Sequence, residues 1–183
     1  MPLIRPARRL GVAMIAVMAI AAPALLACES GTADTDTDTD TGAEPRCGPS
    51  EATVETVIDG DTIVLTSGEK VRYLLIDAPE ITNGHTDCYG QEAFQYNRDL
   101  VLGQEIALTY DEQCTDKYGR LLAYVEAPDG EMNTLLIERG FACLLIVPPN
   151  GADRESEFAG LELEARQSGE GMWTACEGAV TCD

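Results

Sequence analysis

The chain has 183 residues, 45% of them hydrophobic, and a formal net charge of −20 at pH 7. That length supports one modest domain with a real core and argues against two. With 12 lysines and arginines against 32 aspartates and glutamates, the composition excludes a broad basic face, so any nucleic-acid partner has to be held at a local site.

Chain order begins with an export pattern. Arg5, Arg8 and Arg9 form a basic n-region, and residues 10–22 are an unbroken apolar and small-residue run. Such a run is short for a membrane span and suits the h-region of a signal peptide. Leu25-Leu26-Ala27-Cys28 then resembles a lipobox. Residues 1–27 are therefore expected to be a lipoprotein signal peptide, with Cys28 lipidated and the mature chain starting there. Each buried acyl methylene contributes roughly 0.8 kcal/mol, so several chains would hold the protein on a membrane. The expected location is the cell membrane or outer membrane, facing periplasm or exterior. Residues 28–50 read as an acidic tether. Within it, residues 32–42 spell TADTDTDTDTG, a low-complexity run with too little apolar surface to order. Repulsion among Asp34, Asp36, Asp38 and Asp40 predicts an extended spacer. No glycine turns gather those carboxylates into a calcium cage.

Beyond Cys28 six cysteines remain: Cys47, Cys88, Cys114, Cys143, Cys176 and Cys182. An even count in an exported domain suggests disulfides, and spacing alone leaves every pairing open. There is no close C-x-x-C pair to suggest zinc.

The body, residues 51–176, alternates β-type runs with helical ones, and 177–183 is a tail. Residues 53–58, 62–66 and 70–76 are rich in Val, Ile, Leu and Thr and are punctuated by Asp59-Gly60 and Ser67-Gly68, which predicts a meander. Residues 91–102 place Ala93, Phe94, Asn97, Leu100 and Val101 at helical spacing before Gly103. Residues 104–110 and 121–126 read as two further strands. Residues 131–139 predict a short helix with Met132, Leu135 and Leu136 inward and Gly140 as its stop. Residues 154–167 predict a last helix with Phe158, Leu161 and Ala165 on one face. Five strands with interleaved helices fit an α+β fold built on a small closed barrel.

Three stretches carry chemistry: Val57-Ile58-Asp59-Gly60-Asp61-Thr62, Arg72-Tyr73-Leu74-Leu75-Ile76-Asp77-Ala78-Pro79-Glu80, and Thr115-Asp116-Lys117-Tyr118-Gly119-Arg120. In order and spacing they resemble the signature motifs of the staphylococcal nuclease family. Tyr89-Gly90-Gln91-Glu92-Ala93 and Gly171-Met172-Trp173 are weaker further matches. The resemblance covers roughly residues 53–173 and implies an OB-fold five-stranded barrel with three helices. It also implies a calcium-dependent endonuclease acting on single-stranded DNA and RNA as a monomer, with products carrying 3′-phosphates.

By that resemblance Asp61 and Asp77 ligate Ca2+ through their side chains and Ala78 through its carbonyl, which any residue can supply. Hard oxygen donors of this kind suit calcium. Arg72 and Arg120 match the family's phosphate clamp, and guanidinium groups donate paired hydrogen bonds to phosphate oxygens and stay charged. Glu80 matches the general base, Lys117 and Tyr118 the nucleotide contacts, and Asp59 is a candidate to support the metal ligands. Two pocket tyrosines of the family align with Ile146 and Pro148. The family's lysine-rich loop is residues 81–88 here, with no lysine and with His85, the chain's single histidine. The family fold brings the segments of Cys88 and Cys114 together, and those of Cys143 and Cys176, so the resemblance implies Cys88–Cys114 and Cys143–Cys176 and leaves Cys47 with Cys182, the alternative being that some of the six are free buried thiols. Besides the active nuclease, two other classes are compatible with the sequence. One is an idle module of the same fold that binds nucleic acid or protein, which would be expected to have lost one of these charged residues. The other is an acidic structural lipoprotein, which explains the charge and leaves the motifs unexplained.

Overall fold

A computed structural model describes residues 47–81, 84, 86–176 and 180. The export signal, Cys28, the acidic run, His85 and Cys182 lie outside the described residues.

Among the described residues eight strands and four helices follow in chain order: β1 Glu51–Val57, β2 Thr62–Leu65, β3 Lys70–Tyr73, β4 Ile76–Asp77, α1 Gly90–Val101, β5 Glu105–Thr115, β6 Leu121–Ala127, β7 Gly130–Glu131, α2 Met132–Glu138, β8 Cys143–Leu144, α3 Glu155–Ser168 and α4 Met172–Ala175. The main sheet runs β3-β2-β1-β5-β6-β7, and β3 also pairs with β6. That last pairing is parallel, with Val71 opposite Leu121, Arg72 opposite Leu122 and Tyr73 opposite Ala123. It closes β1, β2, β3, β5 and β6 into the five-stranded barrel expected of the α+β OB-fold reading.

Closure needs curvature, and β1 supplies it. Its register slips between Val54 and Thr56, so Val54 and Val57 both point inward although they are three residues apart. A bulge of this kind bends a strand and increases its twist. Ile63, Leu65, Val71, Tyr73, Ala123 and Val125 fill the interior. Met132, Leu136 and Ile137 of α2 and Phe158 of α3 are fully buried beside them. Asn133 is also fully buried. It accepts from the Val125 N–H at 2.9 Å and donates to the Leu74 carbonyl at 2.8 Å, so α2 is tied to both β6 and the turn after β3.

Several boundaries differ from the sequence reading. The run 70–76 is not one strand: β3 stops at Tyr73, Leu75 takes a positive φ of 61°, and Ile76–Asp77 restarts as β4, pairing with Cys143–Leu144. Hydropathy could not reveal this break, because Leu74 and Leu75 are as apolar as the strand residues around them and both are buried. In α2 the inward residues are Met132, Asn133, Leu136 and Ile137, with Leu135 half-buried. In α3, Phe158 and Ala165 are buried and Leu161 partly so. The short helix α4 is additional.

The disulfides correct the expected pairing. Cys47 is bonded to Cys114 and Cys88 to Cys176, so Cys88–Cys114, Cys143–Cys176 and Cys47–Cys182 do not form. Antiparallel pairing explains the first bond. Glu51 lies opposite Ala107, the Leu108 N–H donates to the Ser50 carbonyl, and the Tyr110 hydroxyl donates to the Pro49 carbonyl. The chain before β1 therefore runs along β5 and reaches its far end at Cys114. Cys88 instead sits on the opposite flank, before α1, where α4 brings Cys176 against the cluster of Cys143, Met172 and Tyr89. Cys143 is disulfide-bonded as well.

Candidate active site

The site is built from the turn between β1 and β2. The Ile58 N–H donates to the Thr62 carbonyl at 2.9 Å, and the Asp61 N–H donates to the Asp59 carboxylate at 3.1 Å. Gly60 serves this turn by its missing side chain. A Cβ there would lie 2.5 Å from the Ala78 Cβ and 2.9 Å from the Ala93 Cβ, well inside contact distance. The turn thus presses onto both the residue after β4 and the wall of α1. Asp61 is consequently buried, with one carboxylate oxygen accepting the Ala78 N–H at 2.7 Å and the other the Thr62 hydroxyl at 2.9 Å. Asn97, fully buried on α1, donates to the Asp59 carbonyl at 3.0 Å and accepts from the Tyr73 hydroxyl at 2.9 Å. Burial, then the charge of Asp61, pushes the Asp59 carboxyl up to about 7.

Arg72 gathers the carboxylates. Val71 and Tyr73 fill the barrel, so Arg72 between them faces outward. Its Nε lies 3.1 Å from Asp61 Oδ1, and its Nη2 donates to Asp77 Oδ1 at 2.6 Å. Its Nη1 donates to the Tyr73 and Ile76 carbonyls at 2.9 and 2.6 Å. The break after β3 has a purpose here: it turns those two carbonyls and Asp77 toward one guanidinium. Arg72 is only 11% exposed and Asp61 6%, so this pairing acts in a low-dielectric setting where charges interact strongly.

Glu80 is exposed, yet its backbone is clamped. Its N–H donates to the Asp87 carboxylate at 3.0 Å, and the Asp87 N–H returns a bond to the Glu80 carbonyl at 2.8 Å. Gly90, at the start of α1, lets the helix approach; a Cβ there would come within 2.9 Å of the Glu80 carbonyl oxygen. The Glu80 charge is felt at Asp59, where it adds to the rise in that carboxyl.

On the other side stands the loop between β5 and β6. Asp116 organises it, accepting from the Tyr118 and Arg120 N–H groups at 2.9 and 3.0 Å and from Arg120 Nε at 2.7 Å. Burial raises the Asp116 carboxyl, but the bonds from Arg120 and the Tyr118 N–H outweigh it and hold it below the usual range. Gly119 completes the turn with a φ of 77°. Lys117 Nζ lies 5.0 Å and the Arg120 guanidinium 5.6 Å from the ring centre of Tyr118, which is 72% exposed. The Cys47–Cys114 bond anchors the strand end feeding this loop.

Arg72, Lys117, Tyr118 and Arg120 line one cleft of about 420 Å³. Leu145 and Val147 form its aliphatic wall, in place of the Ile146 and Pro148 expected from alignment. The wall's position is set by Asn150, which bonds Gln113 in both directions at 2.7 and 2.9 Å. Among the described residues no group of three or more His, Cys, Asp or Glu side chains is gathered as a metal cage. What the site offers a cation is the carboxylates of Asp61 and Asp77, already drawn to one positive group, and the carbonyl of Ala78, whose N–H is bonded to Asp61. These are hard oxygen donors, and they fit a hard cation.

Residues 70–175 match the family model described as Staphylococcal nuclease homologue, more than half of the chain. The protein belongs to the staphylococcal nuclease family. It is 38% identical over 102 residues to a thermonuclease of Staphylococcus intermedius, covering 53% of this chain and 61% of that protein. To endonuclease YncB of Bacillus subtilis it is 36% identical over 128 residues, covering 67% of this chain and 61% of the other. To an uncharacterized endonuclease of Escherichia coli it is 32% identical over 132 residues, covering 70% and 80%. The chain thus spans about 61% of the length of the first two relatives.

Within this family member the motif residues separate into two groups joined by Arg72: Asp61, Asp77, Ala78 and Glu80 on one flank, Lys117, Tyr118 and Arg120 on the other. Four supporting residues were not singled out for the site from the sequence. Asn97 had a signal, a polar residue on an otherwise apolar helix stripe. Asp116 had another, an Asp three residues before a turn glycine. Asp87 and the steric role of Gly60 had none. Gly60→Ala should destabilise the fold by about 1–3 kcal/mol through overpacking, read as a lower urea midpoint. Gly160→Ala, where a Cβ meets nothing within 4 Å in α3, should leave the midpoint unchanged or raised.

Proposed function

We propose that this protein hydrolyses phosphodiester bonds in single-stranded DNA and RNA, with calcium held by Asp61, Asp77 and the Ala78 carbonyl. The observation that carries the reading is that Arg72, ion-paired to Asp61 and Asp77, also lines the cleft of Lys117, Tyr118 and Arg120, in a domain otherwise short of cations. Arg120 and Arg72 both face that cleft. Arg72 spends most of its donors on its own carboxylates and carbonyls, keeping a second Nη2 hydrogen for a phosphate oxygen. Arg120, tied to Asp116 through Nε, keeps its Nη groups for the same phosphate. Negative charge grows on those oxygens as the bond breaks, so fixed donors aimed at them lower the barrier. Glu80 orients or deprotonates the attacking water from the opposite flank. Calcium supplies electrostatic stabilisation of the phosphoryl oxygens. The names of the relatives support a nuclease.

Purified protein should cleave single-stranded DNA and RNA with calcium and lose that activity in chelator, leaving 3′-phosphates. Arg120→Ala should lower kcat by about 10²–10³, and Asp77→Ala should move the calcium midpoint upward. Undiminished cleavage in chelator excludes the metal reading. Tight binding without any cleavage points to the idle module.

The export pattern carries a second proposal, a lipid anchor at Cys28 that places the nuclease on a membrane surface. Cys28→Ser should move the protein from the membrane fraction to the soluble one. Retention in the membrane contradicts the anchor.

A further inference from the structure

We propose that Lys70, outside every motif that carries the family resemblance, is a substrate-binding residue that extends the cleft along the barrel's closing seam. The proposal rests on the nucleic-acid reading of that cleft and adds a contact to it. Eight basic residues follow position 50, and most have evident work. Arg154 pairs with Glu131 and Glu157 at 2.8 and 2.7 Å and lies over the Tyr124 and Phe158 rings. Arg166 pairs with Glu162 and stacks on Trp173. Arg139 shares a surface hollow with Glu138, Glu164 and Glu170. Arg98 occupies the last turn of α1, where a cation complements the helix dipole. Arg72, Lys117 and Arg120 line the cleft. Lys70 remains.

Its place is set by the parallel pairing of β3 with β6. Arg72 lies opposite Leu122 and Val71 opposite Leu121, so Lys70 and Arg120 each stand one residue before that ladder, on neighbouring strands roughly 5 Å apart. Val71 and Tyr73 on one strand, and Leu121 and Ala123 on the other, are buried in the barrel. Alternation therefore sends Lys70 and Arg72, like Arg120 and Leu122, to the outer face. Lys70 is exposed, and no ion pair within 4.0 Å engages it or Lys117 among the described residues. In a chain at −20, two lysines outside ion-pair distance of any described carboxylate, one of them beside Arg120, mark a place where anionic substrate supplies the missing charge. The result is a short track, Lys70–Arg120–Lys117 with Arg72 at its floor. Nucleic acid would be gripped there at a few consecutive phosphates while the acidic remainder repels the rest.

The test is binding of a fluorescent oligothymidylate in chelator across a salt series, for wild type, Lys70→Ala, Lys70→Arg and Arg98→Ala. Each phosphate neutralised on a single strand contributes about 0.7 to the slope of log K against log salt. Lys70→Ala should weaken binding at low salt roughly three- to tenfold and make that slope shallower by about 0.7. Lys70→Arg should restore both, and Arg98→Ala should change neither. With calcium, Lys70→Ala should raise KM and leave kcat unaltered. If wild type binds and Lys70→Ala matches it in affinity and slope, the Lys70 assignment is overturned while the cleft stands. If wild type itself does not bind, the cleft reading falls and Lys70 with it.

Discussion

The arrangement of this domain depends on one guanidinium. Arg72 sits between Asp61 of the β1–β2 turn and Asp77 of β4, and also holds the Tyr73 and Ile76 carbonyls that flank the break in the chain. Without a cation there, two acidic side chains would face one another at the edge of the barrel in a molecule already strongly negative. Mostly buried, such a pair is costly to leave uncompensated. Arg72 therefore does for the protein what a bound cation does for a metal site: it makes the close approach of carboxylates tolerable. The Ala78 N–H bond to Asp61 and the contact of Gly60 against Ala78 and Ala93 depend on that approach.

Barrel closure makes the same residue central to the cleft. The parallel seam between β3 and β6 is where the two ends of the barrel's strand order meet, and it places the Arg72 motif directly beside the loop bearing Arg120. Two motifs nearly fifty residues apart thus share a surface because the sheet has no open edge between them. The loop is steadied by Asp116 from within and by Cys47–Cys114 from outside, while Asp87 and Gly90 hold Glu80 from the α1 side. On the proposed function, the acidity that argued against a nucleic-acid partner from composition would act as a focusing device, steering phosphate to the cations gathered at the seam.

Much of this could be read in advance. The meander after residue 51, the helices at α1, α2 and α3, and the closed five-stranded barrel follow from alternation, helical spacing and glycine stops. Of the motif residues, Arg72 pairs with Asp61 and Asp77 and shares one cleft with Lys117, Tyr118 and Arg120. What could not be read depends on three dimensions. The split of residues 70–77 into β3 and β4 turns on a positive φ at Leu75, an apolar residue with no turn signal. The disulfides were misassigned because both Cys88 and Cys114 approach the site, but from opposite flanks, and only the β1–β5 pairing reveals that Cys47 travels to Cys114. The cleft wall shifts to Leu145 and Val147 because the Asn150 contacts with Gln113 set where that segment lies. Lys70 was invisible because its meaning comes from a strand fifty residues away.

The most direct test of Arg72 as the organising charge is a double-mutant cycle of Arg72→Met and Asp61→Asn, read by urea denaturation without added metal. Arg72→Met alone should cost about 3–5 kcal/mol, because it strands a buried carboxylate. If the pairing governs the site, the double variant should recover part of that loss, with a coupling of about 1–3 kcal/mol. Losses that add within about 0.5 kcal/mol would contradict the account, since Arg72 would then be stabilising the fold independently of Asp61.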